Sequence, residues 1–256
     1  MSPGGEQNDA KHESSSEREP VSHAERDRSV LYDLLEGNST HVEELPAGYF
    51  EPVREEQHPS VVSICCSDSR VPQEGMWHTE RPGTVFTPSN IGNQVWDDHE
   101  GEKIVDGSLL YPIANTGTEA VAVVGHTGCG AVTAAYQVAA GGDLPTPTGI
   151  GKWIELLVPV IEEGLESDLI DADAPAPTVV NQLVEYNVDA QASFLRASPD
   201  VPDEVAVYGF VYDFHGVYGN VAGRAYLVND NGVTQPDEIA DEIPEAFEDA
   251  VCSLLY

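Results

Sequence analysis

Two short runs, SVVSICC at 60–66 and AVAVV at 120–124, limit what this chain can fold into. Both are apolar and rich in β-branched residues, and neither alternates with polar positions. That pattern marks a strand covered on both faces, and covered strands need helices to cover them. The chain supplies both. Residues 84–87 (TVFT) and 204–212 read as further strands, and AYLV at 225–228 reads as an edge strand. Residues 108–115, 131–140, 153–163 and 179–195 read as helices, 236–256 as a terminal helix, and 89–93 as a turn. This alternation predicts an α/β fold: a mainly parallel central sheet of about four strands plus an antiparallel edge strand, flanked by helices on both faces.

Near the start, residues 29–42 place Val30, Leu31, Leu34 and Leu35 at helical spacing until Gly37-Asn38, which should end the helix. That apolar stripe needs a surface to cover it. Residues 1–27 have no such periodicity, and their Ser, Glu, Gly and Asn content predicts a disordered extension. The expected organisation is therefore 1–27 as tail and 28–256 as one folded domain. No run of about 18 apolar residues occurs and the N-terminus lacks an apolar signal core, so a cytoplasmic protein with no membrane partner is expected.

The 256 residues carry 45 Asp plus Glu against 11 Lys plus Arg, a formal charge of −34. This balance argues against nucleic acid as a partner, because its phosphates would be repelled. The first 27 residues hold seven acids and three bases, so nearly all of the excess lies on the body. Acids spread over a folded surface with only three lysines (Lys11, Lys103, Lys152) repel one another unless salt screens them. We read this as adaptation to a salt-rich, halophilic cytoplasm; ordinary acidic solubility is the plainer alternative.

Four cysteines stand at 65, 66, 129 and 252, two of them adjacent, which argues against a disulfide framework and for a thiolate metal site. In a parallel α/β sheet, ligands collect at the carboxyl ends of the strands. Cys66 closes one strand and His126-Thr-Gly-Cys129 follows another. Two thiolates and an imidazole suit Zn²⁺ and leave the fourth tetrahedral position open, the arrangement of a catalytic zinc. Taken singly, the same residues read as core thiols and a turn histidine. A sealed structural zinc would need a fourth protein ligand, Asp68 or Cys65, and Cys65 should face away because neighbouring strand residues point to opposite faces.

The segments CSDSR (66–70) and HTGCG (126–130) resemble the β-class carbonic anhydrases, with weaker echoes in LLEGN (34–38), the Asn90-to-Asn93 turn and GFVYD (209–213). The resemblance spans roughly residues 30–228. It implies one Zn²⁺ per subunit on Cys66, His126 and Cys129, with Asp68 and Arg70 as the catalytic pair and Asp68 a fourth ligand only in a closed state. It implies reversible hydration of carbon dioxide to bicarbonate and a proton, by a hydroxide nucleophile formed at the zinc. An ionised Asp68 can only accept, so it can take that nucleophile's hydrogen bond and aim it, while Arg70 holds the carboxylate. Spacing matches the plant-type, open-site subclass. Gln57 falls on a substrate-binding glutamine, Phe86, Ile91 and Tyr111 fall on an apolar carbon dioxide pocket, and the Gly130 amide can donate to an anionic substrate. Core packing is nearly as good an account of Phe86, Ile91 and Tyr111. Ser63 and Ser89 replace a Trp and an Arg of the bicarbonate-inhibited subclass, which implies that Asp68 stays on Arg70. A carbonyl sulfide or carbon disulfide hydrolase on the same site is the near alternative; a non-catalytic structural or bicarbonate-sensing zinc protein is the distant one. The resemblance also implies a homodimer or larger homo-oligomer, with active sites at the subunit interface and the helix near Leu34 reaching across the partner. His41, His58, His78, His99 and His215 are all eligible to move the proton.

Overall fold

The computed structural model describes residues 23–79 and 81–256. The expected tail falls outside them as far as residue 22. The first helix, α1 (His23–Glu44), starts earlier than expected and runs through Gly37-Asn38 instead of stopping there. Within that stretch Ser39 Oγ donates to Leu35 O and Thr40 Oγ1 to Glu36 O. Along α1, Val30, Leu31, Leu34, Leu35 and Val42 are exposed. Of the described residues, those from His23 to Tyr49 belong to one compact unit and those of Phe50–Tyr256 to another.

The second unit is built on a six-stranded sheet. Its strands are β1 (Val61–Cys66), β2 (Val85–Phe86), β3 (Ser89–Asn90), β6 (Ala120–His126), β7 (Ala206–Asp213) and β8 (Arg224–Asp230), in the order β2-β1-β6-β7-β8 with β3 continuing beside β1. All pairings are parallel except β7 with β8, so the sheet is mainly parallel with an antiparallel edge, as the alternation required. Residues 89–90, expected within a turn, pair with Cys65 and Cys66 before the chain turns at Gly92 and Asn93, both at positive φ. A separate hairpin, β4 (Trp96–His99) and β5 (Glu102–Val105), precedes helix α3 (Gly107–Thr116).

Three long or middling helices follow: α4 (Gly130–Ala139), α5 (Thr148–Glu166) and α6 (Ala176–Ala197). Helix α5 begins five residues before the expected 153, at Thr148 just after Pro147. The main core joins one face of the sheet (Val62, Ile64, Val121, Val123, Val207, Val211) to α3 through α6 (Leu109, Ile154, Leu157, Leu183, Val184, Val188). The other face carries only a small cluster of Cys65, Val71, Ala122 and Val124, edged by Met76, Trp77, Phe210 and Phe214. Within this unit the helices therefore favour one face, and the short α2 (Gln73–Met76) is what lies against the second.

The expected terminal helix over 236–256 is corrected to α7 (Pro236–Glu242), a 3-10 turn at Glu245–Ala250 and an extended tail. Pro244 interrupts the helix, and Val251 pairs with Leu227 of β8. Glu185, buried on α6, holds the tail by accepting from Leu254 N at 2.8 Å, from Ser253 Oγ and from Tyr218 Oη at 2.8 Å. Among the described residues no helix is long and apolar enough to cross a membrane.

Candidate metal centre

Strands β1 and β6 are neighbours in register, Cys65 opposite Val124, so their carboxyl ends lie side by side. Cys66 ends one and His126 the other; the turn after His126 then delivers Cys129 as the residue capping α4. Glycine makes that turn possible, since Gly128 stands at φ +63°. The two Sγ atoms and a His126 ring nitrogen all lie within 4.8 Å of one another. The sulfurs are 4.0 Å apart, close to the roughly 3.8 Å that two 2.3 Å bonds in a tetrahedron require.

The histidine is set for metal. Its Nδ1 lies 3.1 Å from the carbonyl of Thr127, a contact that only a protonated Nδ1 can make as a donor. Nε2 then carries the lone pair, and this fully buried atom has no hydrogen-bond partner. A buried acceptor aimed at two thiols is costly unless something electrophilic occupies the space between them. Cys66 gives up its proton readily, first because the Cys129 thiol donates to it, with the Gly92 amide adding to the effect. The same contact, with burial, pushes Cys129 up, while the amides of Ala131 and Val132 at the start of α4 favour its thiolate. A dication binding both sulfurs removes that conflict. The donor set fits Zn²⁺, with the three ligands that leave one position free.

Asp68 stands beside this group in a cleft of about 300 Å³ whose lining includes Cys66, Ser67, Gln73, Thr87 and Ser89. Arg70 grips it with a planar fork, Nε donating to Oδ1 at 2.9 Å and Nη2 to Oδ2 at 2.7 Å, and the Arg70 amide donates to Oδ1 at 2.9 Å. This guanidinium is the main reason that the Asp68 carboxyl is held well below the usual carboxylate range. Asp68 Oδ2 lies 3.8 Å from His126 Nε2, near the donors but outside the set of three. Cys65 points to the opposite face, where burial pushes its thiol up to about 12, so it has no part in the site.

The other expected site residues divide by strand end. Ile91 follows β3, beside Cys66, and Gly130 opens α4 directly after Cys129. Phe86 is opposite Val62, four residues back along β1, about 13 Å from Cys66 at 3.3 Å per residue. Tyr111 packs against Phe86 with ring centroids 6.3 Å apart, and Gln57 precedes the first residue of β1. Gln57, Phe86 and Tyr111 thus sit at the far end of the strand from their own chain's metal donors. Ser63 is buried and accepts the Trp77 indole N–H at 2.9 Å; Ser89 is exposed at the cleft rim.

Sequence reasoning missed a second layer. Register sets His126 opposite Tyr212, and this brings buried Asp213 against Thr127, whose hydroxyl lies 3.3 Å from Asp213 Oδ1 and 2.9 Å from His215 Nδ1. Asn181 on α6 accepts the Gly128 amide at 2.8 Å. Phe214 stacks on the His126 ring. Within GFVYD, which the sequence did offer, the final Asp was the available signal.

A family profile described as carbonic anhydrase matches residues 61–220. A carbonic anhydrase of Pseudomonas aeruginosa is 31% identical over 169 residues, 64% of this chain and 73% of that one. The solved structure of a Coccomyxa β-carbonic anhydrase in complex with acetazolamide aligns with a TM-score of 0.64 at 26% identity, covering 82% of this chain and 91% of that one. One of two tetrameric β-carbonic anhydrases solved from Sordaria macrospora aligns with a TM-score of 0.62 at 22% identity, covering 78% and 97%, a likeness of fold.

Proposed function

The chain belongs to the carbonic anhydrase family, in its β class, and on that premise we propose that it catalyses the reversible hydration of carbon dioxide to bicarbonate and a proton. The observation that carries this reading is the Asp68 carboxylate, fixed by Arg70 beside the donors Cys66, His126 and Cys129. Zinc held by those three supplies Lewis acidity that makes a nucleophile of water near neutral pH.

The chain's own groups do the rest. Asp68, ionised and acceptor-only, would accept a hydrogen bond from the attacking oxygen and so turn that oxygen's lone pair toward carbon. Arg70 occupies both carboxylate oxygens and so keeps Asp68 from swinging onto the metal itself. The amide of Gly130, first residue of α4, is read as a donor to the anionic product. Ile91, which follows the Asn90 partner of Cys66, is read as serving the site of its own chain. Gln57, Phe86 and Tyr111, at the far end of β1, are read as serving the site of a partner copy.

That assignment makes the working unit a homodimer or a larger assembly. The exposed stripe of α1 supports it, as does the tetrameric state of the Sordaria relatives. We place the chain in the plant-type, open-site subclass because Ser63 and Ser89 stand where the inhibited subclass has Trp and Arg, and because Arg70 holds Asp68 by two bonds. The charge of −34 supports a halophilic, cytoplasmic setting. Zinc-edge absorption tests the open site: two sulfurs, one nitrogen and one exchangeable oxygen are expected, and a carboxylate as fourth ligand at neutral pH would refute it.

A further inference from the structure

One ring joins the metal ligand to the cation that controls Asp68. Phe214 stacks on the His126 imidazole, centroids 5.7 Å apart and planes 22° from parallel. The Arg70 guanidinium carbon lies 4.6 Å from the centroid of the same ring. Arg70 needs such a support, because its side chain is 52% exposed and a solvated ion pair holds an arginine only loosely. An aromatic face fixes the guanidinium plane and shields one side of it from water.

The ring is itself fixed. Asp213, fully buried, accepts the amides of His215 at 3.0 Å and Gly216 at 2.9 Å on one oxygen and the amide of Tyr218 at 2.8 Å on the other. The loop after β7 is therefore tied to a single carboxylate and cannot swing Phe214 away without breaking those bonds. The His215 ring also packs against it, centroids 4.5 Å apart.

We propose that Phe214 is a positioning residue whose ring face holds Arg70 in the orientation that keeps the Asp68 carboxylate beside the metal donors. Its catalytic consequence rests on the carbonic anhydrase reading of the site; its structural content does not.

The test replaces Phe214 with mono-, di- and trifluorinated phenylalanine, which nearly keep the shape while draining the negative face of the ring. With zinc at one per chain, kcat/KM for carbon dioxide hydration should fall stepwise by about two- to fivefold in total, the range of an exposed cation–π contact. Arg70 Nε–H order, from ¹⁵N relaxation, should fall in step. Phe214→Leu should lose at least as much in both readouts, and Phe214→Tyr, which keeps the ring face, should match the unmodified protein. Unchanged Arg70 order across the series, a flat kcat/KM, or a Leu variant equal to Tyr would overturn the proposal. If the unmodified protein does not hydrate carbon dioxide, the functional reading fails instead, while Arg70 order in the same samples still decides whether the ring holds the arginine.

Discussion

On the proposed mechanism, Asp68 separates binding metal from using it. Asp68→Asn should keep one zinc per chain and lose kcat by at least about a hundredfold, because an amide can turn its NH₂ toward the nucleophile and misaim it. Cys66→Ser should lose both metal and rate; metal analysis beside stopped-flow assays distinguishes the two outcomes. A different carboxylate should make stability depend on pH. Asp189 on α6 accepts from Asn229 Nδ2 at 3.0 Å, its Oδ2 is buried without a partner, and burial pushes its pKa up to about 7, with the charge of Glu185 adding. Between about pH 4 and pH 7 the folded protein keeps a proton that the unfolded chain has released, so this group's contribution to stability is greatest below about pH 4 and is lost as pH rises through 7. Asp189→Asn should therefore add about 1–2 kcal/mol at pH 8 and nothing at pH 4, measured by denaturant unfolding at fixed salt. The Cys66 to Arg70 cluster was legible in sequence because its chemistry lies within five consecutive residues. Asp213 and Phe214 were not, since they meet Thr127 and His126 across 86 to 88 positions through the pairing of β6 with β7.

At the scale of elements, two glycines set how closely the supporting parts approach the site. A Cβ on Gly125, directly before His126, would lie 2.8 Å from Val188 and 2.9 Å from Val184, so α6 presses on β6 there. One on Gly92 would lie 2.6 Å from Leu157 at φ +83°, beside the amide that faces Cys66. Gly125→Ala and Gly92→Ala should each cost about 1–3 kcal/mol of stability and weaken zinc retention against a chelator. Gly149→Ala, in open space, should change neither. The strands were readable because covered parallel strands are apolar throughout. The hairpin of β4 and β5 was not, because Asp97, Asp98, Glu102 and Lys103 dilute its pattern, and its turn uses Glu100-Gly101, both at positive φ, instead of the commoner Asn-Gly. Helix ends slipped where local signals were overridden. Gly37-Asn38 does not stop α1, and the expected terminal helix yields at Pro244 to a tail held by Glu185.

For the whole molecule, charge is the governing property. With −34 on the chain, folding should gain several degrees in Tm from low salt to about 1 M, where the Debye length is about 3 Å. Indifference to salt would contradict the halophilic reading. Assembly belongs to the same scale: Leu31→Asp with Leu34→Asp on α1 should yield a lighter species by light scattering. The central claim is tested most directly by stopped-flow hydration of carbon dioxide on the zinc-loaded protein in molar salt. The account predicts kcat/KM of at least about 10⁴ M⁻¹s⁻¹, abolished with the metal in Cys66→Ser. A protein holding one zinc per chain that leaves the uncatalysed rate unchanged would contradict it.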